Sequence, residues 1–362
     1  MIRAAINGYG RIGRITHRVI IERFQDQIQV VAINAGQSTD LKGWMYLLKY
    51  DTVYGTLDSK FKIQSLKLIE EEKNGVLKDA IGHLIINDQK IPVLSQRNPS
   101  LLPWKDLDVD VVIESTGAFT TEEKIRPHLE AGAKSVILSA PFKDESATNT
   151  YVLGVNLDTD SQTKLPKVIS NASCTTNCVA PVAKIIEENL GIEKAMMTTI
   201  HAYTSDQRLQ DGGHKDYRRA RAAAQNIIPT STGATIAATK TIPTLQGKFN
   251  GLSVRVPVPV GSLSDFTFLV KRNTTVEEIN QILEHAAESM QYKGILEATH
   301  DPIVSSDIIA DPHSSIVDLS LTQVVGGNMV KVVAWYDNEY GYSNRLVEEA
   351  IILGNQFKNP AA

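Results

Sequence analysis

Ile6-Asn7-Gly8-Tyr9-Gly10-Arg11-Ile12-Gly13-Arg14 stands between two short apolar runs, Ile2 to Ile6 before it and Ile28 to Asn34 after it. Ile15, Val19, Ile20 and Phe24 recur at helical spacing between the glycines and the second run. Strand, glycine turn, helix and strand make a βαβ unit. Gly8, Gly10 and Gly13 fill the G-x-G-x-x-G pattern in the context that gives it meaning. Glycines here allow a tight turn and close backbone approach, and the free amides at the helix start receive a pyrophosphate. A glycine turn that only packs helix on strand is the plainer alternative. Both flanking strands weigh against it.

The alternation continues outward. Gly43 to Tyr50 has a helical pattern, and Asn74-Gly75 marks a hairpin turn following Leu66–Glu71. Leu84 to Ile86 and Ile91 to Leu94 continue the β pattern. Asp110 to Gly117 is a buried parallel-type strand ending in a turn, Thr121 with Lys124 opens a helix, and Lys134 to Ser139 is another strand. Thr116, Gly117 and Ser139 fall at strand C-terminal ends, where such sheets bind ligands. This describes a doubly wound, Rossmann-type dinucleotide-binding domain.

A second stretch carries the chemistry: Ser170-Asn171-Ala172-Ser173-Cys174-Thr175-Thr176-Asn177-Cys178. A β-prone run leads in, and Val179, Val182, Ile185 and Ile186 lead out as a helix to Leu190, with Gly191 as its stop. Cys174 therefore opens a helix, where amide N–H groups and the helix dipole favour a thiolate and can hold an oxyanion. Ser173, Thr175 and Thr176 add hydroxyls. Cys178, one turn further in, reads as a buried apolar residue. His201 ends a β-prone run, Met196 to Ile200, and is the candidate base for Cys174. Beyond it, Leu252–Val258, Asp265–Val270 and Val330–Tyr336 are β-prone, while Val276–Met290 and Leu346–Phe357 are helical. Strands with segregated helices indicate an α+β catalytic domain.

Between them Ser205 to Thr232 is polar and poor in strand signal, with Lys215, Arg218, Arg219 and Arg221. A segment of this length serves function or an interface, and its cations suit a solvated or subunit-contacting face as well as an anion. Arg255 sits between Val254 and Val256, where a charge must face a ligand or an acid. Thr230-Ser231-Thr232-Gly233 precedes another helical run and suits a phosphate, or simply caps the helix.

Composition sets the bounds. A chain of 362 residues suggests two domains, and 42% hydrophobic with 22% charged residues is ordinary globular composition. A net charge of −4 argues against non-specific nucleic-acid binding. Two cysteines four residues apart are no disulfide framework and fit a reducing, cytoplasmic setting. No apolar run reaches membrane-spanning length, and Met1 to Ile6 reads as a strand, not a signal peptide. No metal site is expected.

These motifs together resemble the phosphorylating glyceraldehyde-3-phosphate dehydrogenases over nearly the whole chain. Ile6 to Arg14, Ser170 to Cys178, His201, His214-Lys215-Asp216, Arg218 to Ala222, Pro229 to Gly233 and Trp335 to Ser343 carry the resemblance. It implies residues 1–173 with the C-terminal helix 338–362 as the NAD(P)-binding domain and 174–337 as the catalytic domain of a glycolytic enzyme. Cys174 would attack the aldehyde and His201 take its proton. Hydride transfer would leave a thioester for phosphate to cleave. Thr204 and Arg255 would hold the substrate phosphate, and Ser173, Thr175, Arg219, Thr232 and Gly233 the attacking phosphate. Arg11, Ile12, Asn338 and Tyr342 would grip the cofactor, and the segment from Ser205 would pack in a homotetramer. Val260-Gly261 departs from the family pattern, which has Asn at the first of these positions.

The acid that normally ends the second strand is also absent. Asn34 is followed by Ala35-Gly36-Gln37-Ser38-Thr39, and Asp40 comes late. With no carboxylate to repel a 2′-phosphate, and with Gly212-Gly213 where NAD-selective relatives are bulky, NADP use is expected beside NAD. Three other functions compete. An erythrose-4-phosphate dehydrogenase would run the same chemistry on a longer aldehyde. A non-catalytic oligomeric nucleotide binder would need neither Cys174 nor His201. A cysteine hydrolase would leave the dinucleotide fingerprint unexplained.

Overall fold

The computed structural model describes residues 1–58, 75–144, 149–158 and 164–358, and the backbone of 61–64. Of the Asn74-Gly75 hairpin turn expected after Leu66–Glu71, all but Gly75 lies outside the described residues. The chain divides into two compact units. One is Met1–Thr150 with Gln162–Asn171 and Ser343–Ala362, the other Tyr151–Ser161 with Ala172–Tyr342.

The first unit is built on an eight-stranded sheet. Ile2–Asn7 pairs in parallel with Ile28–Asn34 on one side and with Val111–Glu114 on the other. Ser135–Leu138 and Val168–Ser170 extend the sheet in parallel beyond Val111–Glu114. Gln89–Leu94 extends it in parallel beyond Ile28–Asn34, and the antiparallel strands Ala80–Ile86 and Phe61–Gln64 finish that edge. The winding direction reverses between Ile2–Asn7 and Val111–Glu114, so a crevice opens outside Gly8 and Thr116. The strands nearest the middle are buried along almost their whole length because helices cover both faces.

The glycine fingerprint is enforced by space. Gly8 has φ +96°, and a Cβ there would lie 2.6 Å from the Thr116 amide nitrogen; one on Gly13 would lie 2.1 Å from the Gly8 carbonyl oxygen. A Cβ on Gly10 would meet nothing within 4 Å. Gly10 instead begins the helix Arg11–Val19 with no side-chain cap, leaving first-turn amides for an anion. The last helix, Tyr340–Lys358, is anchored at its end: Lys358 Nζ lies 3.0 Å from the buried Asp110 carboxylate, which also receives Lys134 at 2.7 Å.

The second unit carries a mixed sheet. Ile192–Ala202 pairs in parallel with Phe249–Val256 and antiparallel with Ser262–Val270, which pairs antiparallel with Met329–Tyr336. Every second residue of Ser262–Val270 is buried, the period of a sheet with one face on the core. Cys174–Leu190 supplies much of that core through Val179, Val182, Ile185 and Ile186. Strands at Ile228–Ser231, Leu296–Thr299, Ser315–Asp318 and Gln323–Val325 were not expected from sequence. The segment from Ser205 thus contains a strand after all. Ile228–Ser231 is an edge strand, which is why it tolerates Pro229.

Candidate active site

Ala172 turns the chain into the helix with φ +51°, a conformation uncommon for a residue with a Cβ. Ser173 caps the helix, its Oγ accepting from the Thr176 amide at 3.1 Å. Cys174 is the first helical residue and is half-buried. Its Sγ lies 3.4 Å from His201 Nε2. Thus the two residues that sequence could only nominate meet within hydrogen-bonding range. Cys178 is fully buried against Ser315 Oγ, and burial pushes its thiol up to about 12.

The helix start was expected to favour a thiolate. In the structure burial outweighs it and raises the Cys174 thiol, although Arg255, the Thr175 hydroxyl and the local amides all pull the other way. His201 is buried too. Burial first, then the Arg255 charge, lower it to about 3. Burial thus disfavours the charged form of both partners.

Arg255 comes from the strand beside His201, the two being in register. Its Nη1 lies 2.7 Å from His201 Nδ1 and 3.0 Å from the Ala202 carbonyl oxygen. Sequence expected a ligand or an acid opposite this charge. Among the described residues no acid forms an ion pair with it, and its buried Nε has no hydrogen-bond partner. A guanidinium left with an unmet donor beside a nucleophile is suited to an oxyanion such as phosphate.

Tyr336 was missed from sequence. Its ring stands edge-on to His201 with centroids 6.0 Å apart. Its hydroxyl bridges Thr175 Oγ1 at 2.9 Å and Thr199 Oγ1 at 2.8 Å. The Tyr336 hydroxyl is fully buried, which disfavours its charged form and keeps it protonated. Nothing in an apolar strand ending Trp335-Tyr336 announces that bridge.

The other expected anion ligands are placed as follows. Arg219 donates to Asp206, Thr230 and the Ser231 carbonyl, which ties it to the turn containing Thr232 and Gly233. Thr232 Oγ1 accepts from the Ala234 amide, and Gly233 begins the helix Ala234–Thr241. The Thr204 amide donates to Gln207, its side chain half-exposed. Among the described residues no hydrogen bond joins Thr204, Thr232 or Gly233 to Cys174 or His201. Asn338 Oδ1 accepts from the Gly261 amide and from Ser262 Oγ, which itself accepts from the Ala202 amide. At the Val260-Gly261 departure the structure accounts for the glycine, not for the valine. Gly261 has φ +95°, and a Cβ there would fall 2.5 Å from the Ser305 carbonyl oxygen. Tyr342 donates to the Ala172 carbonyl oxygen at 3.2 Å.

The first unit holds the glycine fingerprint and the strand ends expected to bind a dinucleotide, while Asn338 and Tyr342 belong to the second. Glu114, fully buried, accepts at one oxygen from the Thr116 amide and hydroxyl, and at the other from Asn7 and His128. Asn34 donates to Asn7 Oδ1. This network ties together the C-terminal ends of the three central strands beneath the crevice. Arg11 pairs with Asp51 at 2.5 Å, and Ile12 is half-buried beside it in the helix. Gly117 continues the exposed turn after Thr116, while the Ser139 amide donates to the Glu114 carbonyl oxygen. After Asn34, the Ala35 amide is taken by the Leu94 carbonyl oxygen, and Asp40 caps Leu41–Lys49 by accepting from the Gly43 amide at 2.8 Å. Ser38 Oγ accepts from Trp44 Nε1. These residues fit a dinucleotide: Gly10 leaves open space at free helix amides, and Thr116 and Gly117 are exposed at the switch point.

Comparison with known proteins gives consistent matches. Residues 2–122 match the family model described as glyceraldehyde 3-phosphate dehydrogenase, NAD binding domain, and residues 173–338 that described as its C-terminal domain. The chain is 48% identical over 355 residues to glyceraldehyde-3-phosphate dehydrogenase 2 of Streptomyces avermitilis, covering 98% of this chain and 99% of that one. It is 49% identical over 357 residues to glyceraldehyde-3-phosphate dehydrogenase of Mycobacterium avium, with 98% of each covered. To glyceraldehyde-3-phosphate dehydrogenase 2 of Bacillus subtilis it is 45% identical over 362 residues, covering 100% of this chain and 99% of that one.

Proposed function

The chain belongs to the glyceraldehyde-3-phosphate dehydrogenase family, and we propose from that premise how its own residues carry out the reaction. The enzyme oxidises and phosphorylates D-glyceraldehyde 3-phosphate to 1,3-bisphosphoglycerate through a thioester on Cys174. The observation that carries the reading is the 3.4 Å approach of Cys174 Sγ to His201 Nε2 at a helix start.

His201 takes the thiol proton as sulfur attacks the aldehyde carbon, giving a thiohemiacetal. Amides of the first helical turn face the oxygen that becomes negative. His201 then withdraws the hydroxyl proton as the carbon loses hydride. When bound, the nicotinamide supplies the hydride acceptor. Inorganic phosphate cleaves the resulting thioester to an acyl phosphate and releases Cys174. Arg255 and Thr204 hold the substrate's own phosphate. Arg219, Thr232, Gly233, Ser173 and Thr175 hold the attacking one. Gly8, Gly10, Gly13, Arg11, Ile12, Thr116, Gly117, Ser139, Asn338 and Tyr342 hold the cofactor. Residues 1–173 with 338–362 form the cofactor domain and 174–337 the catalytic domain.

NADP is accepted as well as NAD. Ala35 brings no carboxylate to the end of the second strand, and Asp40 is already committed to a helix cap. The Ser38 hydroxyl can still donate, and a Cβ on Gly213 would meet nothing within 4 Å. The enzyme assembles as a homotetramer in the cytoplasm. Leu209, Tyr217 and Ile227, 83%, 86% and 71% exposed on the segment after Ser205, support the assembly, since large exposed apolar side chains concentrated on one segment are interface material.

The test is reduction of NAD and of NADP, followed by absorbance, with glyceraldehyde 3-phosphate and inorganic phosphate. Comparable rates on erythrose 4-phosphate would favour the longer aldehyde. Ala35→Asp should lower kcat/KM for NADP at least roughly tenfold, about one charge repulsion. A wild type preferring NAD by more than about a thousandfold would refute the NADP reading.

A further inference from the structure

The loop that stands in place of the missing acid is folded back on itself. The Ser38 amide donates to the Ala35 carbonyl oxygen at 3.2 Å, and Gly36, with φ +70°, allows the turn. Ser95 Oγ donates to the Gly36 carbonyl oxygen at 3.4 Å. Ser38 is thereby returned to the end of the strand Ile28–Asn34, beside the position where an acid would meet the adenosine ribose. Its hydroxyl has two acceptor sites and one proton. Trp44 Nε1 donates to one site at 2.9 Å and the Asp40 amide to the other at 3.3 Å. Both lone pairs are occupied, and among the described residues no acceptor takes the proton. Ser38 is half-buried, open enough for a ligand to reach that proton.

Ser38 is therefore a donor only, the reverse of a carboxylate, which only accepts. A carboxylate takes the protons of the ribose hydroxyls and repels a 2′-phosphate. A donor-only hydroxyl gains most from that phosphate, because a hydrogen bond to an ionised acceptor is roughly twice as strong as one between neutral groups. Accepting two hydrogen bonds also strengthens the one the hydroxyl gives. A serine with a free lone pair would instead serve the 2′-hydroxyl of NAD as an acceptor. Trp44 is itself fixed. Its ring stands edge-on to Tyr9 with centroids 6.0 Å apart, and the Arg14 guanidinium lies over it at 5.8 Å. Both partners belong to the glycine fingerprint. Asp40, the first acid after the strand, is turned onto its own helix: one oxygen accepts from the Gly43 amide at 2.8 Å, and a Cβ on Gly43 would lie 2.3 Å from the other. We propose that Trp44 is a positioning residue that sets cofactor specificity: its indole N–H holds Ser38 as a donor-only hydroxyl for the cofactor's 2′-phosphate and so tips the enzyme toward NADP. This rests on the reading above that NADP is accepted.

The experiment measures the dissociation constants of NADP and of NAD by calorimetry on the full enzyme without aldehyde, for wild type, Ser38→Ala, Trp44→Phe and the double variant. Phenylalanine keeps a ring against Tyr9 and Arg14 but has no N–H. Ser38→Ala should lower the NADP-to-NAD affinity ratio about tenfold, the scale of one hydrogen bond to a charged group. Trp44→Phe should lower it about fivefold, since the hydroxyl is kept but is free to accept. With Ser38 already alanine, Trp44→Phe should change the ratio by less than about twofold, because the indole then has no hydroxyl to hold. A tryptophan that only packs would weaken both cofactors alike and leave the ratio where it was. An unchanged ratio in Trp44→Phe, or the same shift in both backgrounds, overturns the proposal. The Ser38→Ala arm decides even where Trp44→Phe fails to fold, since an unchanged ratio there overturns it too. A wild type with no measurable NADP binding refutes the NADP reading and this proposal with it. A wild type that binds NADP with a ratio indifferent to Trp44 refutes this proposal alone.

Discussion

His128 and His201 are both buried imidazoles whose Nδ1 is claimed by a group that can only donate. For His128 the donor is Trp104 Nε1 at 2.9 Å; for His201 it is Arg255 Nη1 at 2.7 Å. The His128 ring, when neutral, is thereby left with its proton on Nε2, whereas His201 Nδ1 also lies 2.7 Å from the Ala202 carbonyl oxygen, which calls for an N–H there. What differs further is the partner opposite Nε2. His128 meets the Glu114 carboxylate at 3.1 Å, an acceptor that uses the proton fully. His201 meets a thiol, which brings a proton of its own. The same kind of ring makes a finished structural bond in one place and an unfinished one in the other. A site that must move a proton is built by leaving a bond incomplete.

The strongest way to break the comparison is to remove the thiol. Cys174→Ser should lose more than roughly a thousandfold in turnover, because a hydroxyl is a far weaker nucleophile than a thiol with the same base. Cys178→Ala should keep nearly full turnover, being buried and committed to packing. Stoichiometric alkylation with peptide mapping should label Cys174 first. Full activity in Cys174→Ser would end the assignment.

Next in size, His201→Asn keeps a polar side chain but removes the base. The hydride-transfer step should slow by roughly a hundredfold or more. The pH at which Cys174 alkylates should rise. An unchanged rate and an unchanged alkylation profile together would make His201 as structural as His128.

The converse substitution sharpens the other side. His128→Phe removes one of four donors to Glu114 and strands the Trp104 indole N–H. The cost should be about 2–3 kcal/mol of stability, the range for a buried charged acceptor and a neutral donor left short of partners. Turnover at saturating cofactor should stay within about twofold, a change under 0.5 kcal/mol. Denaturant midpoints and kcat measured on one preparation separate the two effects. A large loss of kcat with intact stability would mean His128 does more than hold the sheet.

Much of this was legible in sequence, because some features are set by local rules. The glycine fingerprint could be read because only glycine survives at Gly8 and Gly13, and Cys174 because a polar capping residue and an apolar helical run fix where its helix begins. Ser315–Asp318 escaped notice with two apolar residues and no alternation, although all four are buried. The Tyr336 bridge joins residues 161 and 137 positions apart, and Asn7 meets His128 across 121. Such bonds depend on register between strands, which no local pattern encodes. The helix-start argument for a thiolate was incomplete for a related reason. It counted the dipole and the amides, but burial is a property of the assembled fold.

The smallest expected effect tests the charge beside His201 directly. Its folded value near 3 lies below its ordinary 6.5, from burial and then Arg255, so the folded state binds fewer protons than the unfolded chain at acid pH. The associated stability is therefore complete above about pH 6.5 and is lost as pH falls toward 3, where the folded state also protonates. His17 is also lowered to about 3, by burial, and shares that limb. Each contributes on the order of 2–4 kcal/mol across the window, taking 1.36 kcal/mol per unit as an upper scale. In Arg255→Ala the His201 share should shrink, since one cause of its depression is gone, while the His17 share stays. The variant's stability should fall about 1 kcal/mol less than wild type's between pH 7 and pH 4. Urea midpoints for both proteins at the two pH values, at one protein concentration, give the difference. Parallel losses would show that burial alone depresses His201, and the likeness to His128 would then be closer than the Arg255 contact implies.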